Sequence, residues 1–293
     1  MIYGVLLSVV AAFCWGSTSL LMRGMTHLGP LDMTLGRSVG AFAVTFIIAF
    51  FSGTLGCLFT FTVSEWSALT LLVLANNIFG DVALFLALHS LGVAYGSSIS
   101  STYPIVVALM SIFFFGESFS YSILSGTLLV VAGVACLCQR GNAQGKLSTK
   151  GLLLAVLASI LWGIGLSMNK YLVLHELPAS SIAFGRSFLF VLITAAYWLF
   201  KNISAKTLAK AWRQVAQREI FLALAGGVLA IGFGGFLYAR ALQFVPATVA
   251  TPIGASNPLL ATFAAMFIYK EKLRIVQWIG VFMVVAGTVI VAF

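Results

Sequence analysis

Asp81 is the only carboxylate that sits well inside an apolar run long enough to cross a bilayer. It lies about 15 residues into the run Trp66–Leu88, hence roughly 22 Å along a helix. An ionisable group at that depth is costly and marks function by default. Asn77 stands four residues earlier on the same helical face, with Asn76 beside it, so the segment carries a polar stripe. That stripe suits contact with a substrate amine or a proton-coupling step. A buried pair with Arg240, Arg37 or His89, holding helices together, suits it equally well.

Other residues recur in matched settings. Trp15 and Trp162 each fall about thirteen residues into an apolar run, deeper than an interfacial aromatic belt. There they either stack on a planar or cationic ligand or pack helices beside Gly16 and Gly163. Tyr103-Pro104 and Asn257-Pro258 place a proline inside each of two apolar runs. Proline removes a backbone donor and frees carbonyls. Matched interruptions of this kind are the best sequence pointer to a transport site. Small hydroxyl residues surround both: Ser97, Ser100 and Ser101 near the first, Thr248, Thr251 and Ser256 near the second. Tyr103 and Asn257 are the stronger candidates and Tyr238 a weaker one. Arg37 and Arg186 lie near the starts of their runs and read chiefly as structural charges that snorkel or bind helix ends and headgroups, with binding of a carboxylate as the alternative for Arg37. Glu117 and Glu271 fall in short loops and read as ties between helix ends.

These residues need elements to hold them, and composition says which. Of 293 residues, 61% are hydrophobic and only 8% charged, against about 25% charged in a soluble domain. So little polar surface excludes soluble enzymes, disordered chains and nucleic-acid-binding domains. The net charge of +9 reads as basic loops retained in the cytoplasm. Ten apolar segments follow: Ile2–Met22, Met33–Phe51, Trp66–Leu88, Val93–Phe115, Tyr121–Leu137, Gly151–Leu172, Ala179–Phe200, Ile220–Leu242, Ala247–Tyr269 and Ile275–Ala292. Each is about the 20 residues a spanning helix requires. The expected fold is an all-α integral membrane protein of ten transmembrane helices.

The halves resemble each other. Trp15-Gly16 answers Trp162-Gly163 and Arg23 answers Lys170, at an offset of 147. Gly36-Arg37-Ser38 answers Gly185-Arg186-Ser187 at 149. Pro104 and Pro258, Glu117 and Glu271, Gly126 and Gly280, and Val131-Ala132-Gly133 and Val285-Ala286-Gly287 share an offset of 154. The counterpart of Asp81 is Gly235, so any role of Asp81 is asymmetric. Five helices per copy is odd, so the copies enter the membrane in opposite senses, an inverted-topology repeat. The expected organisation is a first repeat over 1–138, a basic connecting loop over 139–150 and a second repeat over 151–293. The loops after the fifth, seventh and ninth helices carry the Lys and Arg residues, which places them in the cytoplasm and both termini outside.

Ten spans, inverted five-helix repeats and the Trp-Gly, Gly-Arg-Ser, Pro and Gly-Glu landmarks resemble the drug/metabolite transporter superfamily, and within it the EamA-type ten-helix members. The resemblance covers the whole chain. It implies a central cavity between the halves, walled by the first four helices of each repeat, with the fifth and tenth helices peripheral or at dimer contacts. The small four-helix exporters of the superfamily carry a coupling Glu in the first helix. No acid occupies Ile2–Met22 or Gly151–Leu172 here, so coupling by that route is not expected.

A carrier working by alternating access in a prokaryotic plasma membrane is the leading expectation, with amino acid export as the first cargo assignment. Uptake of a choline-like cation, a vitamin or a drug is the alternative. No cofactor, metal or nucleic acid is expected as a partner: only three His and four Cys occur, without metal spacing, and no nucleotide-phosphate motif is present. The expected partners are a small-molecule substrate, the bilayer and a possible second copy of the chain.

Overall fold

In hydrocarbon a chain has no water to satisfy its backbone groups, so long apolar runs must close their hydrogen bonds within helices. The computed structural model describes residues 1–22, 25, 30–91, 93–118, 120–138, 148–201, 217–259, 262–263, 266 and 274–293, and every regular element among them is helical. The helices are α1 (Ile2–Met22), α2 (Pro30–Phe51), α3 (Val63–Leu91), α4 in two pieces (Val93–Ser100 and Tyr103–Phe115) and α5 (Tyr121–Cys138). They continue as α6 (Thr149–Leu174), α7 (Ala179–Lys201), α8 (Gln217–Ala241), α9 (Ala247–Gly254) and α10 (Ile275–Ala292). Among the described residues eight helices are long and apolar enough to cross a membrane, and Ile2–Ser17 of α1 is a shorter apolar stretch. Large apolar side chains including Phe51, Phe113, Phe200 and Phe282 face outward, as a lipid-facing surface requires.

Local chemistry moves several boundaries beyond the apolar runs. Helix α3 starts at Val63, ahead of Trp66, because Thr62 and Glu65 form a capping box: the Glu65 amide donates to the Thr62 hydroxyl and Glu65 accepts from the Thr62 amide at 2.6 Å. The Ser148 hydroxyl accepts from the Gly151 amide and starts α6 at Thr149. Gly116, at φ +68°, ends α4 in the left-handed conformation.

Two expected continuous spans prove to be interrupted. Helix α4 breaks between Ser100 and Tyr103, and α9 stops at Gly254 before helix resumes at Asn257. Both breaks precede the flagged prolines, at an offset of 154. A second matched irregularity was not legible in the sequence. Val73–Gly80 of α3 and Gly227–Gly234 of α8 are π-helical, again at an offset of 154. Asp81 and Gly235 directly follow these segments.

Packing is reciprocal across the two halves. Helices α5 and α10 meet along their lengths. A Cβ on Gly126 would lie 2.8 Å from the Gly287 carbonyl and one on Gly287 would lie 2.6 Å from the Gly126 carbonyl; Gly133 and Gly280 stand in the same relation. Helices α2 and α7 are stitched by hydroxyls: Ser38 bonds Thr194 at 2.8 Å, and Thr45 bonds Ser187. Ser38 and Thr45 are the offset-149 equivalents of Ser187 and Thr194, so each pair is the other with its partners exchanged. Helix α1 packs on α8 and α9, and α6 on α3 and α4.

Backbones this close leave no room for a side chain. Gly287→Val should cost about 1–3 kcal/mol or more from overpacking. Gly56→Ala, in the 3₁₀-helix Leu55–Thr60 with nothing within 4 Å, should stay within about 0.5 kcal/mol. Thermal melts in detergent check the contrast.

Candidate functional site

Asp81 joins three helices. Its Oδ2 accepts from Arg37 of α2 at 3.2 Å, and its Oδ1 accepts from Trp162 Nε1 of α6 at 3.2 Å. The same indole N–H also reaches the Asn76 carbonyl at 3.1 Å, an oxygen within the π segment, where the widened turn loosens the usual ladder. Gly80 makes this approach possible, since a Cβ there would stand 2.6 Å from Trp162 Cδ1. The side chains of Arg37 and Asp81 are 13% and 32% exposed. Of the partners open on sequence, the ion pair is with Arg37. Arg240 instead bonds Gln243 and lies over the Phe244 ring, and His89 faces Phe85. Asn77 turns inward and is buried, with Oδ1 accepting nothing among the described residues.

The second half repeats the scaffold without the acid. The Trp15 indole lies on Gly234, the equivalent of Gly80, with Nε1 2.8 Å from where a Cβ would be. Its ring stands 5.4 Å from Tyr238, and the Tyr238 hydroxyl bonds Thr251 at 2.7 Å. Tyr103 meets Trp162 edge-on at 5.9 Å. These four aromatics all belong to one packed core with Ala11, Val107 and Ile253. Arg186, the counterpart of Arg37, is 4% exposed and donates to the Ile231 carbonyl at 2.7 Å, with its guanidinium against Gly235.

At the helix breaks, hydroxyls take over for lost backbone bonds. Thr102 donates to the Ile99 carbonyl at 2.7 Å and bonds Ser159 of α6 at 2.8 Å; Ser256 donates to the Ile253 carbonyl at 2.6 Å. Tyr103 is buried, whereas Asn257 is half-buried and donates to the Gly254 carbonyl at 3.4 Å. The breaks therefore carry hydrogen-bonding groups at the junction of α4, α6 and α9.

Glu117 does more than tie a loop. It caps α9 from the other half: Oε1 accepts from the Ala247 amide at 2.7 Å, and Oε2 from the Thr248 amide at 3.0 Å and hydroxyl at 2.8 Å. Lys170 of α6 stands 3.2 Å away. Burial pushes this carboxyl up, but the Thr248 and Ala247 bonds and then Lys170 outweigh it and hold its pKa below the ordinary 4.5. Glu271, its counterpart, lies outside the described residues.

Sequence reasoning passed over Lys170 as an ion-pair partner, the Ser38, Thr45, Ser187 and Thr194 ladder, and Asn169, a buried amide unpartnered among the described residues. The ladder had a readable signal, a Ser and a Thr seven residues apart repeated at the offset of Gly-Arg-Ser. Asn169 had none.

Two outcomes follow from these partners. Breaking a buried ion pair by deleting one partner costs roughly 3–5 kcal/mol; partial exposure reduces this to about 2–3 kcal/mol for Arg37→Met or Asp81→Asn alone. The double substitution should recover most of that loss in a thermal double-mutant cycle. The depressed Glu117 carboxyl stabilises the fold above pH 4.5, and this contribution disappears as pH falls below that value. Glu117→Gln should therefore be less stable at neutral pH, and the gap to wild type should close under acid.

Comparison with known proteins places this geometry in a family. A model described as the EamA-like transporter family matches residues 2–139 and 149–293. The chain is 27% identical over 287 residues to a protein named uncharacterized transporter from Archaeoglobus fulgidus, covering 96% of this chain and 95% of that one. It is 31% identical over 109 residues to a probable 4-amino-4-deoxy-L-arabinose-phosphoundecaprenol flippase subunit ArnE of Yersinia pseudotuberculosis, covering 36% of this chain and 96% of the subunit. A solved protein crystal structure superposes with a TM-score of 0.80 at 16% identity, over 99% of this chain and 98% of that one, a likeness of fold. The chain is thus a multi-pass membrane protein that belongs to the EamA-like transporter family of the drug/metabolite transporter superfamily.

Proposed function

We propose that this chain is a secondary transporter that moves a small metabolite across the prokaryotic plasma membrane by alternating access. Two five-helix repeats of inverted topology, 1–138 and 151–293, rock against each other about a central site, joined by the basic loop 139–150. The observation that carries this reading is the pair of helix breaks at equivalent positions in α4 and α9. Matched discontinuous helices expose backbone groups where a carrier binds its cargo. The exchanged contacts Gly126–Gly287 with Gly133–Gly280, and Ser38–Thr194 with Thr45–Ser187, support a two-fold relation between the repeats. The basic loops after α5, α7 and α9 favour a cytoplasmic placement for that face, with the termini opposite. The α5–α10 pair is the surface available for a second copy.

An amino acid or a related metabolite, exported, is the cargo this reading favours. Trp15, Trp162, Tyr103 and Tyr238 offer aromatic walls, and Asn77 and Asn257 offer hydrogen bonds. Asp81 already meets Arg37 and Trp162, which weighs against the alternative of a choline-like cation held by that carboxylate. Asp81 then works by holding α2, α3 and α6 together, and its ion pair is a contact that rocking of the halves must open or carry intact.

Counterflow in proteoliposomes tests the reading, with a panel of amino acids, choline-like cations, nucleobases and vitamins, each run with and without a pH gradient. Exchange of amino acids well above empty liposomes is expected. Silence across the panel from folded protein would overturn it.

A further inference from the structure

The two halves are matched in scaffold but not in charge. In the first, Arg37 has Asp81 at 3.2 Å. In the second, the residue equivalent to Asp81 is Gly235, and the guanidinium of Arg186 lies against its backbone, with Cζ 2.8 Å from where a Cβ would stand. Arg186 is 4% exposed. Its hydrogen bond is to a neutral carbonyl, that of Ile231, at 2.7 Å, while Nε is buried with no acceptor. No carboxylate pairs with it among the described residues, whereas Arg37 has Asp81.

An arginine stays charged in proteins, and a buried charge is kept where something compensates it. Nothing in the second half of the described chain does so. A guanidinium presents a planar fork of donors that matches the two oxygens of a carboxylate or phosphate; Nε is without an acceptor in both Arg37 and Arg186, so what sets Arg186 apart is the missing carboxylate. Glycine at 235 leaves the room that the Arg186 guanidinium itself fills, with Nη2 2.4 Å from where a Cβ would stand.

We infer that Arg186 is a binding residue for an oxyanion, the carboxylate or phosphate of the molecule this protein carries, which takes in the second half the place that Asp81 fills in the first. This rests on the transporter reading for its purpose but is tested by binding alone. An anionic group is then required of the cargo, which an amino acid or a phosphorylated metabolite has and choline lacks.

The test uses the purified full chain, followed by thermal shift and tryptophan fluorescence. The probes are L-alanine, acetate and inorganic phosphate, with choline as control, in nanodiscs of phosphatidylcholine with or without phosphatidylglycerol. At least one oxyanion should stabilise wild type in a saturable manner and choline should not. Protection that appears only with phosphatidylglycerol would assign the oxyanion to a lipid headgroup; protection by the soluble probes in its absence would assign it to a free solute. Arg186→Met should weaken binding at least tenfold and Arg186→Lys by less. Gly235→Asp supplies an internal carboxylate to the same guanidinium, which has to shift because a Cβ there would stand 2.4 Å from its Nη2; the folded variant should lose binding. Where Arg186→Met does not fold, Gly235→Asp and Arg186→Lys carry the test. Absence of any oxyanion effect on folded wild type, or equal binding in Gly235→Asp, would overturn the assignment. Oxyanion binding without counterflow would leave Arg186 standing and remove the carrier reading. Counterflow unchanged by Gly235→Asp would do the reverse.

Discussion

Inside a bilayer a polar group can be satisfied only by another part of the protein, and the Arg37–Asp81–Trp162 junction is where that constraint binds hardest. The ion pair brings α2 to α3, and the indole brings α6 to both. Its geometry in turn dictates local sequence. Gly80 must lack a side chain for Trp162 to reach the carboxylate, and the α3 backbone adopts a π turn whose Asn76 carbonyl shares the indole N–H. One interaction thus engages a glycine, a backbone irregularity and a tryptophan, three features that recur in the second half without the acid.

The same economy governs the rest of the bundle. Without a hydrophobic drive between helices, association rests on close backbone contact and on hydrogen bonds. Gly126, Gly133, Gly280 and Gly287 supply the first for α5 and α10, and the hydroxyl pairs of α2 and α7 supply the second. Glu117 shows a third device, a carboxylate lent by one half to the orphan amides at the start of a helix in the other. Most of these contacts cross between the halves. The α5–α10 glycine contacts and the α2–α7 hydroxyl pairs each recur with their partners exchanged.

Symmetry of scaffold with asymmetry of charge is what makes the second half informative. Trp15 repeats the position of Trp162 and Gly234 that of Gly80, so the loss of the acid at 235 is not the loss of the surrounding architecture. Tyr238, one turn on, bonds Thr251 at the broken helix α9. The region from Arg186 to Thr251 is therefore built to the same plan as the Asp81 junction, with Arg186 bonded to the Ile231 carbonyl in place of an ion pair.

Much was legible beforehand, for identifiable reasons. Apolar runs of about 20 residues have one solution in lipid, so the helices, the absence of strands among the described residues and the membrane setting follow from composition. The prolines at 104 and 258 announced the broken helices because proline cannot donate to the ladder. What the sequence left open was decided by distance. Arg37, Arg240 and His89 were equivalent partners for Asp81 until the folded chain brought Arg37 within 3.2 Å of it, and Asn77 left the expected polar stripe because a π turn rotates residues that an α-helix would align. Lys170 and Glu117 lie 53 positions apart and no periodicity links them. The sequence determined which segments must be helical and which residues recur, since those depend on local chemistry and spacing. Only the tertiary structure decided which charges pair, Arg37 with Asp81 and Lys170 with Glu117, because that depends on three-dimensional neighbours drawn from different elements.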